Sequence, residues 1–233
     1  MRLSLETREV GRVTIVRCKG RLVAGNESES LRSHVSWLLR DRRSIVLHLG
    51  EVAFIDSSGL GTIVRTLTST RQAHGDLKLC DVPEHVQKVL HLSHLTKLFD
   101  SHQSEDSAVA AFYRSSAKSE QPPASGKSVL CVSRNADVVA YVREILRRAG
   151  YDVHTSNNLR DGQILMRVTR FDLLLVEAGL AASPAVETSF RAQAAAVPTI
   201  EIGSEFSTSE AGEATTALLA KIASHLQSPS AAS

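Results

Sequence analysis

The sequence predicts an α/β protein of two domains, each a β-sheet with helices packed against it. The chain of 233 residues is longer than one average domain. Apolar β-branched runs alternate with stripes of apolar residues at helical spacing, which is the order of an α/β fold. A polar, proline-bearing stretch at residues 115–127 divides this alternation in two and is typical of a linker. We therefore predict domains over 1–114 and 128–227, followed by a disordered tail over 228–233.

Composition and charge exclude several classes of function. The formal net charge is only +2, which gives no electrostatic basis for binding nucleic acid or an anionic membrane. Aromatic residues make up 4% of the chain, too few to suggest a stacking platform for single strands. No segment approaches the roughly 20 apolar residues of a spanning helix, and the N-terminus lacks the apolar stretch of a secretory signal. We expect a cytoplasmic protein without a nucleic-acid partner and without membrane insertion.

The first domain shows strands and helices in alternation. Residues 13–18 and 44–49 are apolar strands, and the second is continuous enough to be covered on both faces. A helix is predicted over 26–39 with Asn26 as its cap, and another begins after Gly59. The remaining predicted elements are a strand at 77–80, a helix opening at Pro83 and a helix over 107–113.

The second domain repeats the alternation more regularly. Strands are predicted at 128–132, 151–154, 171–176 and 198–202. A helix follows each of them, and four such units in about a hundred residues predict a parallel, doubly wound sheet. The first predicted helix has an apolar stripe from Val138 to Leu146 and ends at Gly150, and the other three cover 159–168, 185–195 and 214–226.

The most informative motif is Asp56-Ser57-Ser58-Gly59-Leu60, where an apolar strand end meets a polar turn and then a helix. Asp and Ser at this place can cap the unpaired amides of the helix, which is a sufficient structural explanation. The same amides and the helix dipole also favour an acquired phosphate. Phosphorylation of Ser57 would add roughly −1.5 to −2 charges beside Asp56, which a docked partner would feel as repulsion. From the residues alone both interpretations stay open.

A family resemblance supports the second interpretation. Gly-Arg-Leu at 20–22, the helix over 26–39, the strand at 45–49 and Asp-Ser-Ser-Gly-Leu-Gly at 56–61 resemble the STAS domain of bacterial anti-sigma factor antagonists. The similarity spans about the first 113 residues. It implies a mixed sheet with helices, a regulator rather than an enzyme, and no cofactor.

The resemblance also implies a mechanism. Ser57, with Ser58 as the fallback, would accept phosphate from an anti-sigma factor that is also a serine kinase, and a phosphatase would remove it. The unphosphorylated protein would capture the anti-sigma factor and free the sigma factor. Asp56 would help partner recognition, together with Gly59 and Leu60. The alternative is a scaffold in a signalling or membrane-associated complex, because some STAS domains lack the serine and serve that role.

The second domain resembles a two-component receiver that lacks its acidic pocket. An active receiver uses three carboxylates to hold Mg²⁺ and accept a phosphoryl group. Here Ser133 and Arg134 fill the acidic-pair positions, Glu177 fills the acceptor position, and Gly203 stands where a Thr or Ser is expected. We expect a pseudo-receiver in which Glu177 and Arg134 could form an ion pair, serving as a partner-binding or dimerisation module.

No metal site is expected from the sequence. Each of the three cysteines, Cys18, Cys80 and Cys131, stands alone in an apolar run, which predicts free buried thiols in a reducing compartment. His48 lies in an apolar strand and is interpreted as a hydrogen-bonded core or edge histidine. His85, His91 and His94 are interpreted as solvated, because no other ligand completes a metal shell.

Overall fold

The structure is a computed structural model that describes residues 2–116, 126–180, 182–203 and 211–227. The chain divides into two compact units, Met1–Ser116 and Ala117–Ser233. The last helix of the first unit ends at Ser116, so the first two residues of the predicted linker are helical. Most of the predicted linker and all of the predicted tail lie outside the described residues.

The first unit contains a mixed sheet, as predicted. Its elements are β1 (Ser4–Val10), β2 (Val13–Leu22), α1 (Asn26–Leu38), β3 (Ser44–Ile55), α2 (Ser57–Gln72), β4 (Asp76–Cys80), α3 (Glu84–Leu92), β5 (Asp100–His102) and α4 (Glu105–Ser116). The spatial order of the strands is β1-β2-β3-β4-β5. Strand β1 runs antiparallel to β2, and the pairs β2–β3, β3–β4 and β4–β5 are parallel.

Helices cover both faces of this sheet. Helices α1, α2 and α3 bury apolar side chains, among them Val35, Ile63 and Val86, against one face. Helix α4 lies on the other face, where the Phe112 ring packs 4.9 Å from the ammonium group of Lys78 on β4. Because β3 is central and covered on both sides, its residues 45–49 are all buried, which explains their continuous apolar run.

Three local features differ from the expectation. Strands β1 and β5 were not predicted, since β1 is a half-exposed edge strand with a polar sequence and β5 has only three residues. Strand β3 continues to Ile55 rather than ending at Leu49. Asn26 is not the cap of α1 but its first helical residue, because Gly25 occupies the cap position with a φ of 95° that few side chains tolerate.

The second unit contains a sheet in which every strand pair within the described residues is parallel. Its elements are β6 (Ser128–Val132), α5 (Ala136–Arg148), β7 (Asp152–Ser156), α6 (Leu159–Val168), β8 (Leu173–Glu177), α7 (Pro184–Ala194), β9 (Thr199–Ile202) and α8 (Ala211–Gln227). The strand order is β7-β6-β8-β9. Helices α5 and α8 pack against the face that carries Val129 and Cys131. Leu130 and Val132 point to the opposite face, towards Gly162 of α6 and Phe190 of α7.

An ionic cluster fastens α4 to the first sheet. Glu105, in the first turn of α4, is buried and pairs with Arg8 of β1 and with Arg17 of β2, whose guanidinium nitrogen lies 3.1 Å from it. Burial opposes ionisation of Glu105, but Arg8 and Arg17 outweigh it and hold the pKa of the carboxyl below its ordinary value. The cluster therefore joins the first and last elements of the unit through a charged hydrogen-bond network.

Replacing Glu105 with Gln should lower the free energy of unfolding of the first unit by about 2 kcal/mol at neutral pH, because two charged hydrogen bonds lose their acceptor charge. The pKa is depressed in the folded state, so the contribution is present above the ordinary pKa of 4.5 and is lost as the pH falls through the folded value. The difference from the wild type should therefore shrink in acid. Urea unfolding at several pH values, followed by the fluorescence of Trp37, the chain's single tryptophan, measures this difference in the free energy of unfolding.

Glu84→Gln is the matched control, since Glu84 also begins a helix and pairs with a cation. Its partner is Lys88, and both of these side chains are exposed. Its expected cost is below about 0.5 kcal/mol. Equal effects of the two substitutions would contradict the anchoring role of Glu105.

Candidate functional site

Ser57 is the first residue of α2, directly after the residue that caps the helix. Asp56 is extended at this position, and its Oδ1 accepts a hydrogen bond of 2.8 Å from the Gly59 amide, which confirms the predicted cap. Ser57 and Ser58 are exposed, whereas Gly59 and Leu60 are buried. The motif thus places its hydroxyls on the surface and its apolar part in the core.

The second oxygen of Asp56 ties the site to the loop after β2. Its Oδ2 accepts a hydrogen bond of 3.1 Å from the amide of Ala24. The hydrogen bond from Gly59 lowers the pKa of Asp56 most, with further contributions from the amides of Ala24 and Ser58 and from the charge of Arg21. Asp56 is therefore a fixed negative charge at neutral pH, beside the Ser57 hydroxyl.

Gly59 is required by a close approach between α2 and β2. A Cβ built on Gly59 would lie 2.0 Å from the carbonyl oxygen of Leu22. The same oxygen accepts a hydrogen bond of 3.3 Å from the Asp56 amide. Gly61, two positions on, has no neighbouring atom within 4 Å of its built Cβ. The first glycine of the motif thus sets the position of α2, and the second does not.

Two exposed side chains flank the serine. The Phe54 ring, three positions before Ser57, is nearly half exposed, and the guanidinium carbon of Arg21 lies 5.3 Å from its centroid. Within the part of the chain that the structure describes, the Ser57 hydroxyl makes no hydrogen bond to the protein. The aromatic ring of Phe54 and the cation of Arg21 are therefore presented together, and the charge of Arg21 also acts on Asp56, the neighbour of Ser57. The sequence did not reveal this pair, because Arg21 and Phe54 face each other only after a register shift between β2 and β3.

The second unit brings together three of its four predicted pocket residues. The Ser133 hydroxyl donates to Oε2 of Glu177 at 2.9 Å, and the backbone amide of Arg134 donates to the same oxygen at 2.7 Å. The Asn135 amide in turn donates to the Ser133 hydroxyl at 3.1 Å. Gly203 directly follows β9. Glu177 is thus held by hydrogen-bond donors at the carboxyl end of the sheet.

Comparison with known proteins identifies the first unit. The STAS domain family matches residues 4–108. The putative anti-sigma factor antagonist BtrV of Bordetella bronchiseptica is 29% identical over 99 residues, which are 42% of this chain and 85% of that protein. The anti-sigma F factor antagonist of Paenibacillus polymyxa is 32% identical over 111 residues, 47% of this chain and 94% of that protein. The chain belongs to the STAS-domain family of anti-sigma factor antagonists.

The chain is also similar over about half of its length to two solved structures. A putative anti-sigma factor antagonist from Thermotoga maritima is 27% identical and covers 46% of this chain and 92% of its own, with a TM-score of 0.43. The unphosphorylated antagonist SpoIIAA is 21% identical and covers 47% and 96%, with a TM-score of 0.42. The STAS match ends at residue 108, so the interpretation of the second unit depends on its own residues. Among the described residues no helix is long and apolar enough to cross a membrane.

The two glycines of the motif give a matched test of this geometry. Gly59→Ala should lower the free energy of unfolding by about 1–3 kcal/mol, because the added methyl group meets the Leu22 carbonyl and must push α2 away from β2. Gly61→Ala should be neutral or stabilise by up to about 1 kcal/mol, because alanine favours the helix and has room. Urea unfolding of both variants measures the difference, and equal stability would show that the close approach does not exist.

Proposed function

We propose that this chain is a partner-switching regulator of sigma-factor-dependent transcription. In its unphosphorylated form it binds an anti-sigma factor that has serine kinase activity, and phosphorylation of Ser57 releases that partner. The supporting observation is the exposed Ser57 hydroxyl at the capped start of α2, in a chain whose relatives are anti-sigma factor antagonists. A phosphatase resets the switch, and the chain itself performs no catalysis.

The proposed mechanism is electrostatic. The positive end of the α2 dipole stabilises a phosphate on Ser57, so the modification does not disrupt the helix. The phosphate brings roughly −1.5 to −2 charges next to Asp56, which is already ionised and engaged with Gly59 and Ala24. A partner that docks over Phe54 and Ser57 would then have to desolvate adjacent negative charges, and this cost releases it.

The second unit is proposed to be a pseudo-receiver that binds a partner or a second copy of the chain. Glu177 already accepts hydrogen bonds from Ser133 and from the Arg134 amide. Since Ser133 and Arg134 replace the acidic pair, Glu177 alone remains of the three carboxylate positions with which an active receiver holds Mg²⁺. Phosphoryl control therefore enters the chain at Ser57 and not at Glu177. A kinase partner that uses ATP and controls a sigma factor implies a cytoplasmic location.

The test is to capture the partner with the wild-type chain and with Ser57→Ala, Ser57→Asp and Ser58→Ala. The wild type and both alanine variants should retain a protein with a serine-kinase domain, whereas Ser57→Asp should bind it at least about tenfold more weakly because of its added charge. Incubation of the captured kinase with ATP should phosphorylate the wild type and Ser58→Ala, but not Ser57→Ala. Intact-mass measurement shows the added phosphate.

Two outcomes oppose the proposal. Phosphorylation of Ser57→Ala to the same extent as the wild type would show that Ser57 is not the phosphate acceptor. Unchanged binding by Ser57→Asp would remove the electrostatic mechanism and favour a scaffold whose STAS surface is never modified.

A further inference from the structure

A cluster of metal-binding side chains lies on the face of the first sheet that α4 covers. His48 of β3 and Cys80 of β4 are direct neighbours in the parallel register, and Asp81 follows Cys80. Nε2 of His48 lies 3.0 Å from Oδ2 of Asp81. One donor atom from each of the three residues lies within 4.8 Å of the other two.

We propose that these three side chains bind one divalent transition-metal ion of the Zn²⁺ class, through a His48 ring nitrogen, Cys80 Sγ and an Asp81 carboxylate oxygen. A thiolate and an imidazole select such an ion over Mg²⁺ and Ca²⁺, which require oxygen ligands. Three protein ligands leave a fourth position for water or another small ligand. This site is independent of Ser57 and goes beyond the proposed switch.

The distances suit a tetrahedral ion after small side-chain movements. Zinc bonds of about 2.0–2.3 Å place the ligand atoms of a tetrahedron roughly 3.3–3.8 Å apart. The distance of 3.0 Å between Nε2 of His48 and Oδ2 of Asp81 is already slightly below this range. The other donor atoms of the cluster lie at most 4.8 Å apart, so they would have to approach by no more than about 1 Å to bind the same ion. Asp81 adopts a φ of 48°, a left-handed conformation that Asp tolerates, so it leaves the strand direction directly after Cys80.

The cluster is both shielded and reachable. Cys80 is fully buried and His48 is nearly so, whereas Asp81 is exposed. Asp81 and Gly50 line a cavity of about 1130 Å³, which lies between the middle of β3, the ends of β4 and β5, and helix α3. An ion can therefore enter from the cavity, and its fourth ligand would come from that side. Shielding of the thiol from solvent also protects it from oxidation.

Charge and protons balance on binding. The Cys80 thiol gives its proton to the solvent, and the resulting thiolate and the Asp81 carboxylate together neutralise a divalent ion. The His48 ring would bind the ion in its neutral form, since a ligand nitrogen must offer a lone pair. Its Nδ1 now accepts a hydrogen bond of 3.2 Å from the Gly50 amide, while Nε2 faces Asp81. Coordination through Nε2 moves the ring proton to Nδ1 and costs the Gly50 hydrogen bond.

The surrounding charges are compatible with the ion. Oε1 of Glu105 lies 3.8 Å from Nε2 of His48, which places a second carboxylate just outside the ligand set. Glu105 also pairs with Arg8 and Arg17, so these cations are partly neutralised where they approach the cluster. Since Glu105 approaches the ring nitrogen that would bind the ion, its carboxylate adds negative charge close to the ion.

The experiment titrates the reduced, chelator-stripped full chain with Co²⁺, whose thiolate charge-transfer band in the near ultraviolet reports a sulfur ligand. We expect one Co²⁺ per chain, displaced by Zn²⁺. The band should be absent in Cys80→Ser and retained in Cys131→Ser, a matched control because Cys131 is a buried thiol of the other unit. No band in the wild type, or an equal band in Cys80→Ser, would overturn the proposal.

A second variant keeps the test decisive if Cys80→Ser does not fold. Asp81 is exposed, so Asp81→Asn should retain the native circular dichroism while its Zn²⁺ affinity, measured against a chromogenic chelator, falls at least about tenfold. His91→Gln should bind Zn²⁺ like the wild type, because His91 lines the same cavity but is not part of the cluster. Unchanged affinity in Asp81→Asn would overturn the site, whatever the fate of the Ser57 switch.

Discussion

The carboxylate of Asp56 fixes the geometry on which the candidate switch depends. Its two oxygens bind the amides of Gly59 in α2 and Ala24 in the loop after β2, while its own amide binds the Leu22 carbonyl. The missing side chain of Gly59 lets α2 approach that same carbonyl. The end of β2, the end of β3 and the start of α2 are therefore held as one junction, and Ser57 projects from it.

A rigid junction is compatible with the proposed role of phosphate as a mark on the surface. The Ser57 backbone is fixed by its neighbours, and its hydroxyl has no structural role within the described part of the chain. Adding charge there changes what a partner meets without removing a contact that the fold requires. The opposite face of the sheet has a different polar system, in which Glu105 anchors α4 and His48, Cys80 and Asp81 form the candidate metal site. The two candidate sites are thus separated by the sheet and by the elements that build them.

The sequence predicted what is local and missed what depends on strand pairing. The Asp56 cap involves residues three positions apart, so a single motif revealed it. The pair between Arg8 and Glu105 joins residues 97 positions apart, and strand β1 was missed because its edge sequence is polar. His48 and Cys80 likewise become neighbours only through the register of β3 with β4. They are 32 positions apart in the sequence, so a search for closely spaced metal ligands does not find them. In the second unit, regular βα alternation predicted the parallel sheet, but not that the Arg134 amide would bind Glu177.

The central claim is that phosphorylation of Ser57 changes surface charge and leaves the Asp56 junction intact. Amide hydrogen exchange of Gly59 and Ala24, measured by NMR on the full chain before and after phosphorylation, tests it directly. Both amides donate to Asp56, so their protection reports the junction itself. The account predicts that the protection of both amides is retained in the phosphorylated protein. Loss of protection at both amides would show that phosphate opens the junction, and the switch would then be conformational.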